Sequence, residues 1–166
     1  MIEKHLRTLF GLLEEELSLY KDLLAISQKK TDVIVKRDIK RLENMTRFEQ
    51  ELILLIGKKE DKRFETLMKL GEILDIDPNK ATISQLLEHV EPQHKDRWMK
   101  LQKDIDEVLS SLKNINNTNN RLINKALEYI NKNINILAGV YAESPTYNKD
   151  KKGRSSTTRS FFDQKV

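Results

Sequence analysis

The sequence predicts an all-α protein: an elongated, coiled-coil-like antiparallel three-helix bundle with one short extra helix and a flexible C-terminal tail. Composition is the first reason, since 38% hydrophobic and 34% charged residues with five Gly, three Pro and 6% aromatic suit long helices with mixed-charge outer faces. The second is apolar spacing at threes and fours in every long segment. The third is that Asp75-Ile76-Asp77-Pro78-Asn79 is the one clear break, because proline disfavours helix before it and Asp and Asn supply turn chemistry.

The first helix, over about 2–36, carries Ile2, Leu6, Leu9, Leu13, Leu17, Tyr20 and Leu24 on one face. Asp38 suits the N-cap of a second helix, over about 39–75. Its seam reads Ile39, Leu42, Met45, Phe48 or Glu49, Leu52, Leu55 or Ile56, then Phe64, Leu67, Leu70 and Leu74. Gly57 and Gly71 inside it cost about 1 kcal/mol each relative to Ala. Thr82-Ile83-Ser84-Gln85 has the spacing of a capping box and opens a short helix over about 82–90. Pro92 suits the first position of the last helix, over about 92–141. Helices of roughly 35 to 50 residues are about 50 to 75 Å long and must lie alongside one another.

The last helix changes character along its length. Its seam runs Trp98, Leu101, Ile105, Val108, Leu112, Ile115 and then reaches Asn119, where a polar residue can fix register. Nine asparagines fall between Asn114 and Asn135, an unusual load for a residue that competes with helix through its own backbone; A/T-rich coding bias is the bland explanation. Two apolar stripes then run one residue out of phase. One is Leu122, Ala126, Tyr129, Ile136 and Val140; the other is Ile123, Leu127, Ile130, Ile134, Leu137 and Tyr141, spaced alternately by four and three. Adjacent residues point about 100° apart, so together the stripes form one broad apolar sector. Either the helix lies between two others, or the sector is a surface for a partner. On the second reading Ile123, Leu127, Ile130, Ile134, Leu137 and Tyr141 are the candidate binding residues.

Periodicity ends beyond Glu143, so the domain reading is a helical bundle over 1–141 and a flexible basic tail over 142–166. Of the net charge of +4, residues 143–166 hold six basic against three acidic side chains, or +3, leaving +1 for the body. A near-neutral body with interleaved signs argues against nucleic acid. With no cysteine, disulfide and thiolate chemistry are excluded. No run resembles a signal peptide or spans a bilayer, so the expectation is a soluble cytoplasmic protein without membrane insertion.

Catalytic chemistry is not visible. His5, His89 and His94 are scattered, and a spacing of five does not put two histidines on one helix face. Glu14-Glu15-Glu16 reads as a solvated face. No phosphate loop or nucleophile turn is present, so neither an enzyme, a metal nor a cofactor is expected.

The residues Leu9-Phe10-Gly11-Leu12-Leu13-Glu14-Glu15-Glu16-Leu17, the joint Lys36-Arg37-Asp38-Ile39-Lys40-Arg41-Leu42, Glu49, Arg63, Asn119-Asn120-Arg121-Leu122-Ile123 and the tail pair Thr146-Tyr147 with Gly153 follow in order along the chain. In this conjunction the sequence resembles the FlgN-type flagellar export chaperones. The resemblance implies a cytoplasmic chaperone that binds the C-terminal helical segment of the hook-filament junction proteins FlgK and FlgL. It would prevent their premature assembly and deliver them to the type III export apparatus through the cytoplasmic domain of the gate component FlhA. It also implies a role for Tyr147 in docking on that gate. The competing expectation is a homodimeric coiled-coil adaptor, structural or regulatory, without an export role.

Overall fold

The computed structural model describes residues 1–142, with side chains to residue 139. The expected tail and Tyr147 lie outside the described residues, as does the side chain of Tyr141. Four helices follow in order: α1 (Ile2–Val35), α2 (Ile39–Leu74), α3 (Ile83–Leu87) and α4 (Pro92–Ala142). Among the described residues there is no strand. The chain divides into two compact units, Met1–Tyr129 and Ile130–Val166.

Local chemistry sets each helix end. α1 stops where Arg37 turns left-handed, at φ 58°, and the Arg37 and Asp38 amides donate back to Ile34 and Val33 at 3.1 and 3.2 Å. Asp38 Oδ1 then accepts from the Arg41 amide at 3.1 Å, capping α2. The capping box forms at α3: the Gln85 amide donates to Thr82 Oγ1 and the Thr82 amide to Gln85 Oε1. α3 is only five residues, shorter than expected, because Glu88, His89 and Val90 donate three residues back and tighten into a turn.

Gly71 has a reason that helix propensity did not reveal. A Cβ there would stand 2.6 Å from the Ile76 carbonyl oxygen and 2.7 Å from Pro78 Cγ, so the chain leaving α2 folds back over a position only glycine leaves open. At Gly57 a Cβ would meet nothing within 4 Å.

Within the first unit, side-chain pairs fix helix directions. Ser27 pairs with Glu49, Tyr20 with Glu60 and Glu16 with Arg63, so α2 descends as α1 rises. Arg97 pairs with Glu14, and Asn119 with Ser27 and Thr31, so this part of α4 runs parallel to α1. The apolar core gathers Leu6, Leu9, Leu13 and Leu17 of α1, Leu70 of α2, Leu86 of α3, Val90, and Trp98 and Leu101 of α4. The Trp98 ring lies tilted 5.2 Å from Phe10.

Above that core the α1–α2 seam turns polar. At both ambiguous positions of α2 the second residue goes inward, Glu49 over Phe48 and Ile56 over Leu55. Glu49 accepts from Ser27 Oγ at 3.1 Å and pairs with Lys30 at 2.5 Å. Glu16, expected in a solvated acidic run, is instead 2% exposed and accepts from Arg63 Nε at 3.0 Å. Burial raises its carboxyl pKa above the usual value, while the Arg63 charge and hydrogen bond pull it back. Among the described residues no buried side-chain nitrogen or oxygen lacks a hydrogen-bond partner.

Candidate functional site

The site follows from burial along α4. Trp98, Leu101 and Leu112 are buried, and Asn119 closes the buried series at 2% exposure. Its amide donates to the Ser27 carbonyl at 2.9 Å while its own oxygen accepts from Thr31 Oγ1 at 2.7 Å. A polar residue thus occupies the seam position where the spacing called for an apolar one, and its hydrogen bonds are directional, which tie α4 to one level of α1.

Beyond Asn119 burial fades. Leu122, Ile123 and Ala126 are half-buried. Then Leu127 is 52% exposed, Ile130 49%, Ile134 50% and Leu137 58%, with Tyr129 and Ile136 of the other stripe equally open. The four side chains at 127, 130, 134 and 137 keep the three-four-three rhythm of a helix-packing seam. Of the six residues singled out from the sequence, Ile123 is therefore half-covered and these four are open. Arg37 lies over the Tyr129 ring, its guanidinium carbon 4.9 Å from the ring centre.

Other surfaces escaped the sequence reading. Phe48, Ile53, Leu54 and Leu55 on α2 are exposed, as is Val35 before the α1–α2 turn, and Ile39 and Phe64, expected on the α2 seam, instead face outward at 71% and 45% exposure. The signal was present in the ambiguous pairs, because when Phe48 and Glu49 or Leu55 and Ile56 compete for one seam position the loser must face outward.

The histidines also sit differently from their spacing. His89 and His94 line one pocket of about 280 Å³ with Leu6, Phe10, Val90 and Trp98, because a helix break falls between them. His94 Nε2 stands 3.7 Å from Glu91, and no cluster of three or more metal-ligating side chains occurs among the described residues. The open face of α4, among the described residues, carries Leu127, Tyr129, Ile130, Ile134, Ile136 and Leu137. It can bury apolar surface against a partner.

The Bacillus subtilis (strain 168) protein YvyG, described as uncharacterized, is 29% identical over 143 residues, covering 80% of this chain and 87% of its own length. No solved structure matches. A family model described as FlgN protein matches residues 1–155, which includes all four helices and the open stretch of α4. With that model spanning residues 1–155 of this helical chain, the protein belongs to the FlgN family of flagellar export chaperones.

Proposed function

We propose that this protein is a cytoplasmic three-helix-bundle chaperone whose α4 face, over Ile123, Leu127, Ile130, Ile134, Leu137 and Tyr141, binds the C-terminal helical segment of FlgK and FlgL. It holds these junction proteins apart until Tyr147 docks the complex on the cytoplasmic domain of FlhA. The observation that carries the reading is the row of half-exposed apolar side chains at 127, 130, 134 and 137 on a chain of this family. An amphipathic helix reads such a row as anchors at three- and four-residue spacing.

Magnitudes extend the contact further. Burying an aliphatic side chain fully is worth about 1.5 to 3 kcal/mol, so covering the exposed half of four yields about 3 to 6 kcal/mol gross. Micromolar affinity requires about 8 kcal/mol net, after ordering costs. Tyr129 and Ile136 of the second stripe, equally exposed, widen the apolar area a client can cover.

The test is titration of a FlgK C-terminal fragment into the full chain. Ile130→Asp with Ile134→Asp abolishes binding and leaves the helical circular-dichroism signal intact. Undiminished binding, or loss of helix in the variant, refutes the reading. Tyr147→Ala leaves client binding unchanged and lowers capture of the FlhA cytoplasmic domain. Tight self-association that the fragment cannot compete away would favour the homodimeric adaptor.

A further inference from the structure

The α1–α2 turn combines exposed apolar side chains with four exposed cations. Ile39 is 71% exposed and Val35 64%; apart from Met1, Ile39 is the most exposed large hydrophobic among the described residues. Lys36, Arg37, Lys40 and Arg41, all exposed, flank them within seven residues. The one acid there, Asp38, has its carboxylate engaged by the Arg41 amide. Among the described residues none of the four cations pairs with a carboxylate; Arg37 instead lies over the Tyr129 ring.

The turn is also fixed. Three backbone hydrogen bonds close it, from the amides of Lys36, Arg37 and Asp38 to Asp32, Ile34 and Val33, so Val35 and Ile39 cannot fold inward without breaking the end of α1. Arg37 holds a left-handed φ of 58° where glycine would be less strained, which keeps a cation at the tip of the turn. A groove beside it adds Lys29 and the exposed Phe48 to the same surface, together with one acid, Asp32, against Lys29, Lys36 and Arg41.

We propose that this turn is a contact site for an anionic bilayer surface. Val35 and Ile39 reach the boundary between headgroups and acyl chains, while Lys36, Arg37, Lys40 and Arg41 stay at the level of the lipid phosphates. Charge complementarity selects an anion, and the apolar pair selects among anions. The phosphates of a nucleic acid would engage the four cations but offer Val35 and Ile39, on the outside of the turn, no continuous apolar phase of the kind a bilayer provides. The inference does not rest on client binding at α4, although Arg37 touches Tyr129 there, and its test contains no client and leaves Arg37 unchanged.

The experiment is co-sedimentation of the full chain with mixed phosphatidylcholine–phosphatidylglycerol vesicles and with phosphatidylcholine alone. The expected result is binding to the mixed vesicles only, weakening as salt rises. The basic residues beyond Glu143 also favour anionic vesicles, so the apolar pair discriminates. Val35→Ser with Ile39→Ser, and separately Lys36→Glu with Lys40→Glu, each weaken binding about tenfold or more at unchanged helical content. Ile39→Ser alone replaces any double variant whose helical signal falls. Failure of the wild-type chain to bind mixed vesicles overturns the proposal, as does undiminished binding by the variants. Binding of RNA or of an acidic helical peptide at this turn, with vesicles left free, overturns it equally.

Discussion

Leu9 and Leu17 on α1 and Ile130 and Ile134 on α4 belong to apolar rows of the same spacing, yet the first two are 1% and 8% exposed and the last two 49% and 50%. The difference lies in what stands opposite. Around Leu9 and Leu17, side chains arrive from all four helices. On α4, the Thr31–Asn119 pair sets the level at which α1 runs alongside, and α1 ends at Val35, four residues later. With the two helices parallel, that end is level with about residue 123 of α4 at 1.5 Å per residue on each. Burial falls to half at Leu122 and Ile123, which is where this register says that cover from α1 stops. Periodicity therefore fixes which face of a helix is apolar, and the length of its neighbour decides where along the helix that face is covered.

The contrast breaks first, and with the largest effect, under truncation. Leu9→Ala removes a fully enclosed side chain from the core and costs about 3 to 5 kcal/mol. Leu137→Ala, on the open face, changes stability by less than about 0.5 kcal/mol. Urea denaturation of the two variants measures both numbers. A Leu137→Ala cost approaching that of Leu9→Ala would mean that the far end of α4 is core, and the proposed client surface would lose its basis.

The boundary between the regions gives the next largest effect. Asn119→Ala removes one donor and one acceptor at 2% exposure and leaves the Thr31 hydroxyl without that partner, at a cost of about 1 to 3 kcal/mol. If Asn119 sets the level of α4 against α1, hydrogen exchange of the α4 amides around residue 119 accelerates more in this variant than at Trp98. Uniform acceleration would show that Asn119 contributes stability without register.

Much of the fold was legible because its signals are local. Asp38, the Thr82–Gln85 box and Pro92 each act within one helical turn, and each stands at the helix start that the sequence predicts. The polar seam was not legible for the opposite reason. Glu16 is inward because Arg63, 47 residues away, meets it, and Glu49 because Ser27 and Lys30 do. A carboxylate in a helical charge run looks solvated until its partner is known, since burial of a charge is tolerated only when it is paired. Gly71 was misread similarly, its cause being a carbonyl five residues on and a proline seven on. The α4 stripes were legible as a pattern, because their spacing is local to one helix.

The smallest expected effect concerns Glu16, a polar residue embedded between leucines of the buried region. Its folded pKa is raised above 4.5, chiefly by burial, against the opposing pull of Arg63. A raised carboxyl holds its proton more tightly folded than unfolded. Stability from this group is therefore fully present below its ordinary pKa, declines as pH rises through the raised folded value, and is level above it. Glu16→Gln has no such decline, and its amide oxygen can still accept from Arg63 Nε. Thermal melts across this window should show the variant's melting temperature rising relative to wild type as pH increases, until the two curves run parallel. Curves parallel throughout would mean that Arg63 fully offsets burial, making the pair a neutral insertion into the leucine row. A variant that instead loses ground as pH rises would mean that the ionised pair is a net stabiliser of the α1–α2 seam, and the buried region would then owe its cohesion to charge as well as to its leucines.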